Sequence, residues 1–230
     1  MNSTKQNTVS ENKIEILFED KDILVINKPV GILSEDSPKG EKGIISHLIN
    51  DNRLTLHLLH RLDKNVGGVM VFAKNKKSAS RLSTDIANGK LKKCYFAVTD
   101  GLPEKDEGIY KDLLFKDSRK NRSFVVDRMR KGVRDASLEY KVLNKATDKA
   151  LVKIHLHTGR THQIRVQFSH RKTPLTGDGR YGSKDRNCDI ALHSCEISFC
   201  HPVTNKELVF SCEPDFSVYP WDLFVGEFND

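Results

Sequence analysis

His60, Arg61 and Asp63 crowd into one short junction of the stretch HLLHRLDKNVGGVMVFAK, residues 57–74. A carboxylate two positions from a guanidinium, between two apolar runs and beside a Gly-Gly pair, admits two readings. One is a polar turn joining two strands. The other is a catalytic carboxylate on a loop held by the buried strand that follows. A second set lies about a hundred residues on, in HTGRTHQIRVQF. There Thr158-Gly159 ends a strand, and Thr161 is placed to cap a helix running through Phe168. Three-residue spacing puts His162 and Arg165 on one face of that helix, while Ile164 and Phe168 share the face that would dock on a sheet. Arg165 would then project from a rigid element towards a partner such as Asp63. Spacing alone does not prove that the two segments meet.

Other chemistry-bearing clusters are weaker. Cys195 and Cys200, with His193 and His201, have the residue types of a zinc site, but ALHSCEISF alternates like a strand and no second ligand pair follows. His155 and His157 alternate on one strand face without a third ligand nearby, which reads as an ordinary strand face. The stretch SRKNRSFVVDRMRKGVR, Ser118 to Arg134, carries seven basic residues. It is either a solvated hairpin or a phosphate-contacting arm, with Phe124–Val126 helping it fold. Gly177-Asp178-Gly179 and Tyr181-Gly182 read as a turn shaped beside the site.

The 230 residues, 37% hydrophobic, suffice for a core without disulfide or metal support. A net charge of +7 and a pI near 9.1 suit a polyanionic partner without proving one. Five cysteines, an odd number with no CxxC pair, argue against a secreted disulfide framework. The polar start MNSTKQNTVSENK has neither signal-peptide nor transit-peptide character, and no apolar run reaches the ~18–20 residues that span a bilayer. A cytoplasmic protein is expected.

These residues must be positioned by strands. KIEILFED, DILVINKPVGIL, GGVMVFAK, KCYFAVTD, ASLEYKVLN, ALVKIHLHT, CEISF and ELVFSC all read as strands, with helices at GIISHLIN and from Lys76 to Asn88, where Gly89 supplies a stop. Many strands with few helices in mixed order predict an α+β (mixed α/β) domain over residues 13–230 around one large sheet, after a disordered tail at 1–12.

HRLDKNVGGVMVFAK resembles the HRLD motif of RluA-type RNA pseudouridine synthases. ILFEDKDILVINKPVGIL, KCYFAV, HTGRTHQIRVQF, PLTGDGRYG and LHSCEISFCHPVT resemble further blocks of that family, in family order, from about Ile14 to Pro220. The resemblance implies the pseudouridine synthase fold, a mostly antiparallel mixed sheet with flanking helices and a central cleft. It also implies isomerisation of uridine in RNA: the glycosidic bond breaks, the base turns, and carbon 5 is joined to the ribose. On the matching positions Asp63 is the essential aspartate, acting as nucleophile, base or charge stabiliser. Tyr95 is the tyrosine that stacks on the base and helps remove the carbon-5 proton, and Arg165 is the basic partner of the aspartate. Arg61 is the arginine that enters the helix where the base leaves. His60 is a candidate RNA contact; Arg160, His162 and Gln163 are candidate RNA contacts or structural residues; and Arg119, Lys120, Arg122, Arg128, Arg130 and Lys131 are the candidate phosphate-contacting arm.

The reaction has no redox step or net hydrolysis, so no cofactor or metal is expected. The partner is RNA, ribosomal or transfer, and a stand-alone monomeric catalytic domain is expected. One departure stands out. Where the family has Thr-Ser-Gly after the aspartate, this chain has Val66-Gly67-Gly68. Two rivals follow: a catalytically impaired RNA-binding protein on the same fold, which the intact Asp63, Tyr95 and Arg165 disfavour, and a zinc-dependent protein.

Overall fold

The computed structural model describes residues 14–49 and 55–226; the tail expected at 1–12 lies outside them. Strands β1 (Glu15–Glu19), β2 (Ile23–Lys28), β3 (His57–Leu58), β4 (Gly67–Ala73), β5 (Lys92–Asp100), β6 (Glu107–Asp117), β7 (Arg122–Val126), β8 (Val133–Ala146), β9 (Lys149–Leu156), β10 (Leu192–Cys200) and β11 (Glu207–Ser211) form one sheet. Its path runs β1-β2-β4-β10-β5-β9-β8-β6-β7, with β3 beside β4 and β11 beside β10. These strands pair antiparallel except β4 with β10, so the sheet is mixed and mostly antiparallel, as expected. Helices α1 (Ile44–Leu48), α2 (Lys76–Ala87) and α3 (Gln163–His170) flank it, and a 3₁₀ turn covers Trp221–Phe224.

The uninterrupted apolar run of β4 has a direct cause: both faces of the sheet are covered there, so all seven residues are buried. Met70 and Phe72 face one core with Leu24, Ile26 and Tyr95, while Val69 and Val71 face another with Ile23 and Val25. Helix α2 closes the second core through Leu82, and its N-terminus is capped by Asn75, whose side chain accepts the Ser78 N–H at 2.9 Å. Helix α3 closes the first through Ile164 and Phe168, the pair read as its docking face. Its start differs from expectation. Thr161 does not cap it; the helix begins at Gln163 after His162, which sits at φ +53° with no side-chain cap.

Gly68 is fixed by geometry. Its φ is +116°, and a Cβ there would lie 2.2 Å from the Ser194 carbonyl oxygen, because β4 and β10 approach closely at their parallel pairing. The family-variant residues before it are packed rather than displayed. Val66 is a core residue, and Gly67 lies against the Lys28 carbonyl and Val30. The Val66-Gly67 departure therefore acts through packing beneath the loop.

The cysteine and histidine residues of the zinc reading go separate ways. Cys195 is buried, Cys200 is exposed, and His193 Nε2 lies 3.3 Å from Cys212 Sγ. Among the described residues, the donors that gather in a group of three are Asp20, Asp22 and His201. His201 Nδ1 accepts the Val203 and Thr204 N–H groups, which leaves Nε2 protonated and donating to Asp20 Oδ2 at 2.9 Å. The group is a latch between the β1–β2 and β10–β11 turns.

Candidate active site

Asp63 stands on the loop between β3 and β4, and that loop is tied down from below. Leu62 and Val66 are buried on either side of it. The Ser34 hydroxyl donates to Leu62 O at 2.7 Å and accepts the Leu62 N–H at 3.0 Å. Lys28 is fully buried, and its ammonium donates to the carbonyls of Pro29 and Ile32, each at 2.8 Å, and to Lys64 O at 3.3 Å. Burial pushes the Lys28 pKa down to about 8, with the Asp63 carboxylate pulling the other way. The result is a rigid loop carrying a carboxylate whose side chain remains 30% exposed.

From the other side α3 brings Arg165, which is buried. Its Nη1 donates to Asp63 Oδ2 at 2.6 Å, while Nε and Nη2 fork onto Asp178 at 2.6 and 2.9 Å. Asp178 is 1% exposed and comes from the Gly177–Gly179 turn. Gly177 has φ +78°, and a Cβ there would lie 2.3 Å from Asp189 O. Burial opposes the Arg165 charge, but Asp178 and then Asp63 more than offset it, so its pKa stands above the usual arginine value. His162 completes the cluster, with Nε2 3.8 Å from Asp63 Oδ2 and Nδ1 3.0 Å from the Tyr181 hydroxyl. Burial holds its pKa below the usual histidine value despite the neighbouring carboxylate.

These groups line a cleft of about 630 Å³ whose wall includes Asp63, Tyr95, Lys93, Arg160, His162 and Leu192. Tyr95 projects from β5 and is 5% exposed. Burial, reinforced by the Asp63 charge and partly opposed by a hydrogen bond with Ser194, raises its pKa, so the phenol keeps its proton at neutral pH. The cleft thus presents an oriented carboxylate, a fixed guanidinium and a flat aromatic wall. That combination suits a planar base attached to a sugar.

Residues 22–170 match the family described as RNA pseudouridylate synthase. The chain belongs to that family. It is an isomerase acting on uridine in RNA. An uncharacterized RNA pseudouridine synthase of Mycoplasma genitalium is 34% identical over 212 residues, 89% of this chain and 68% of that protein. The ribosomal large subunit pseudouridine synthase C of Buchnera aphidicola subsp. Schizaphis graminum is 33% identical over 204 residues, 84% of this chain and 65% of that protein. Among solved structures, human RNA Pseudouridylate Synthase Domain Containing 4 shares the fold with a TM-score of 0.72 and 26% identity, over 88% of this chain and 89% of that one.

The synthase structure brings together Asp63, Tyr95, His162 and Arg165, and it places the other expected residues differently. Arg61 is exposed at the cleft edge and paired with Glu35. Arg160 also lines the cleft, with Nε donating to Asp135 O at 2.9 Å. Gln163 is buried: its Oε1 accepts from Thr158 and from the Arg160 N–H, and its amide donates to Ser137 O. It ties the turn before α3 to β8, which is a framework role. His60 is likewise buried, and its Nε2 accepts the Val71 N–H at 3.2 Å. Two groups carry no signal of their role in the sequence. Asp178 lies inside a stretch legible only as a turn, and Lys28 lies beside a Pro-Val-Gly turn that looks solvated.

Burial, and to a lesser extent the Lys93 charge, pushes the His60 pKa from 6.5 down to about 3. The unfolded chain therefore binds the proton that the folded chain refuses between those values. The stability His60 contributes is complete above about 6.5 and is lost as pH falls towards 3. His193, pushed down to about 4 mainly by burial, acts in the same direction. At about 1.4 kcal/mol per pKa unit, His60 accounts for roughly 3 kcal/mol by pH 4. His60→Gln offers Val71 an acceptor that does not titrate. Urea unfolding of this variant between pH 6.5 and 4 should show a flatter fall in stability than the parent; an identical fall would refute the assignment.

Proposed function

We propose that this synthase converts one or a few uridines of ribosomal or transfer RNA to pseudouridine, with Asp63 as the acting carboxylate. The observation that carries the reading is the chain Asp63–Arg165–Asp178. Arg165 aims the one cleft carboxylate that is partly open, and Asp178 fixes Arg165 from behind. The target nucleotide must leave its stack, at a cost of a few kcal/mol recovered in pocket contacts. Asp63 then acts at the ribose as the glycosidic bond breaks, and Tyr95 forms the wall along which the freed uracil turns. Carbon 5 bonds to the ribose and gives its proton to solvent, while the freed nitrogen N1 takes one up. The name of the Buchnera relative favours large-subunit ribosomal RNA as the first substrate to try. A monomer working in the cytoplasm fits this reading, and no helix among the described residues is long and apolar enough to cross a membrane.

Because carbon 5 exchanges its hydrogen for the ribose, purified protein should release tritium from RNA made with [5-³H]uridine. No release from either ribosomal or transfer RNA would overturn the reading.

The basic arm spans the hairpin of β6 and β7, with Phe115 opposite Phe124, and the turn from β7 into β8, which carries Arg128, Arg130 and Lys131. Its base joins the cleft wall: Ser123 Oγ donates to Thr161 O at 2.6 Å, and Ser123 N–H donates to the Tyr181 hydroxyl at 2.8 Å. Arg119, Lys120, Arg128, Arg130 and Lys131 are exposed, whereas Arg122 is turned inward between the Phe124 and Tyr181 rings. Arg122 therefore does not belong with the arm's RNA contacts. Neutralising the other five should weaken RNA binding and flatten its salt dependence, by about 0.7–0.9 in log–log slope for each phosphate no longer neutralised. An unchanged slope would remove the hairpin from the interface.

A further inference from the structure

Among the described residues, Lys93 is the cleft cation with neither a counter-charge nor a side-chain hydrogen bond. Strand alternation puts it on the same face of β5 as Tyr95, and it lines the same cleft. A Cβ built on Gly159 would lie 3.6 Å from its Nζ, so the ammonium reaches the turn that precedes α3. Each neighbouring cation of the wall is already engaged. Arg165 holds two carboxylates, Arg61 pairs with Glu35, and Arg160 donates to a backbone carbonyl. Among the described residues Asp63 is the one acidic side chain in the wall, and Arg165 occupies it.

The Lys93 ammonium has neither an ion pair nor a hydrogen bond among the described residues, and a titratable neighbour, His60, does nothing to balance it. His60 is kept neutral by burial and by the Lys93 charge itself, and its Nδ1 also lacks an acceptor. Burial lowers the Lys93 pKa, a penalty on the ammonium that an anion beside it would offset. This corner of the cleft is rich in donors and poor in acceptors.

We propose that Lys93 is a substrate-positioning residue that binds a backbone phosphate of the target nucleotide and so sets the ribose over Asp63. The proposal rests on the reading of the cleft as the uridine site. A phosphodiester supplies both the missing charge and the missing acceptors, and it enters with every substrate whatever its sequence.

The test uses full-length protein carrying Asp63→Asn, so that RNA binds without turnover, alone and combined with Lys93→Met or Lys93→Arg. Methionine keeps much of the stem and removes the charge; Lys93→Gln replaces it if the methionine variant does not fold. The expected result is a Kd about tenfold higher for the uncharged variants. Their log Kd against log salt should be shallower by about 0.7–0.9, and arginine should restore the slope. In the otherwise active protein, Lys93→Met should raise KM more than it lowers kcat. An active parent whose slope is unaffected by Lys93→Met overturns the Lys93 assignment alone. A fall in kcat at constant slope overturns it too, because Lys93 would then act on the base. A parent that neither binds RNA nor releases tritium overturns the functional reading beneath it.

Discussion

Asp63→Asn should fold, bind RNA within about threefold of the parent, and lose pseudouridine formation by a factor on the order of 10⁴ or more, the scale seen when the acting group of a constellation is removed. Asparagine retains the shape of the side chain and can still accept from Arg165 Nη1, so the cleft keeps its outline. What disappears is the negative charge that, on the proposed reading, acts on the ribose. The stability cost should stay near 1 kcal/mol, since Asp63 is partly exposed and Arg165 keeps its forked pair with Asp178. A kinetic assay beside a urea melt separates the two effects. Residual turnover within tenfold of the parent would mean that another group does the chemistry.

Asp178→Ala should be the costliest change to the fold. Arg165 and Asp178 are both buried, and the carboxylate satisfies two of the guanidinium nitrogens. Removing it leaves a buried cation with Asp63 alone, and such a loss typically costs about 3–5 kcal/mol. Arg165 would also be free to swing, so the remaining folded protein should lose kcat because Asp63 is no longer aimed. Asp178→Asn keeps the volume of the turn and should fall between parent and alanine in both readouts. An alanine variant within 1 kcal/mol of the parent in urea unfolding would show that Asp178 is not the anchor.

The residues on either side of the chemistry are legible in the sequence to different degrees, for physical reasons. The β4 run and the α3 docking pair announce themselves because burial on a regular element imposes a local period. Asp63 and Arg165 are recognisable by motif, although their meeting depends on strands from both halves of the chain. Asp178, Lys28, His60 and Gln163 mislead a sequence reading for one shared reason. Each is a polar residue made buriable by partners that the fold brings round it: Arg165 for Asp178, the Pro29, Ile32 and Lys64 carbonyls for Lys28, Val71 for His60, and Thr158, Arg160 and Ser137 for Gln163. Local composition shows the polarity and hides the partner, so such residues look solvated. Arg122 misleads likewise, because its aromatic neighbour Tyr181 arrives from another turn.

The central claim is that Asp63 on this scaffold makes pseudouridine in cellular RNA. The most direct measurement maps pseudouridine across ribosomal and transfer RNA from cells with the gene, cells without it, and cells carrying only Asp63→Asn. One or a few uridines should lose the mark in the deletion and stay unmodified with the aspartate variant. Restoration of those marks by Asp63→Asn, or identical maps in all three strains, would contradict it.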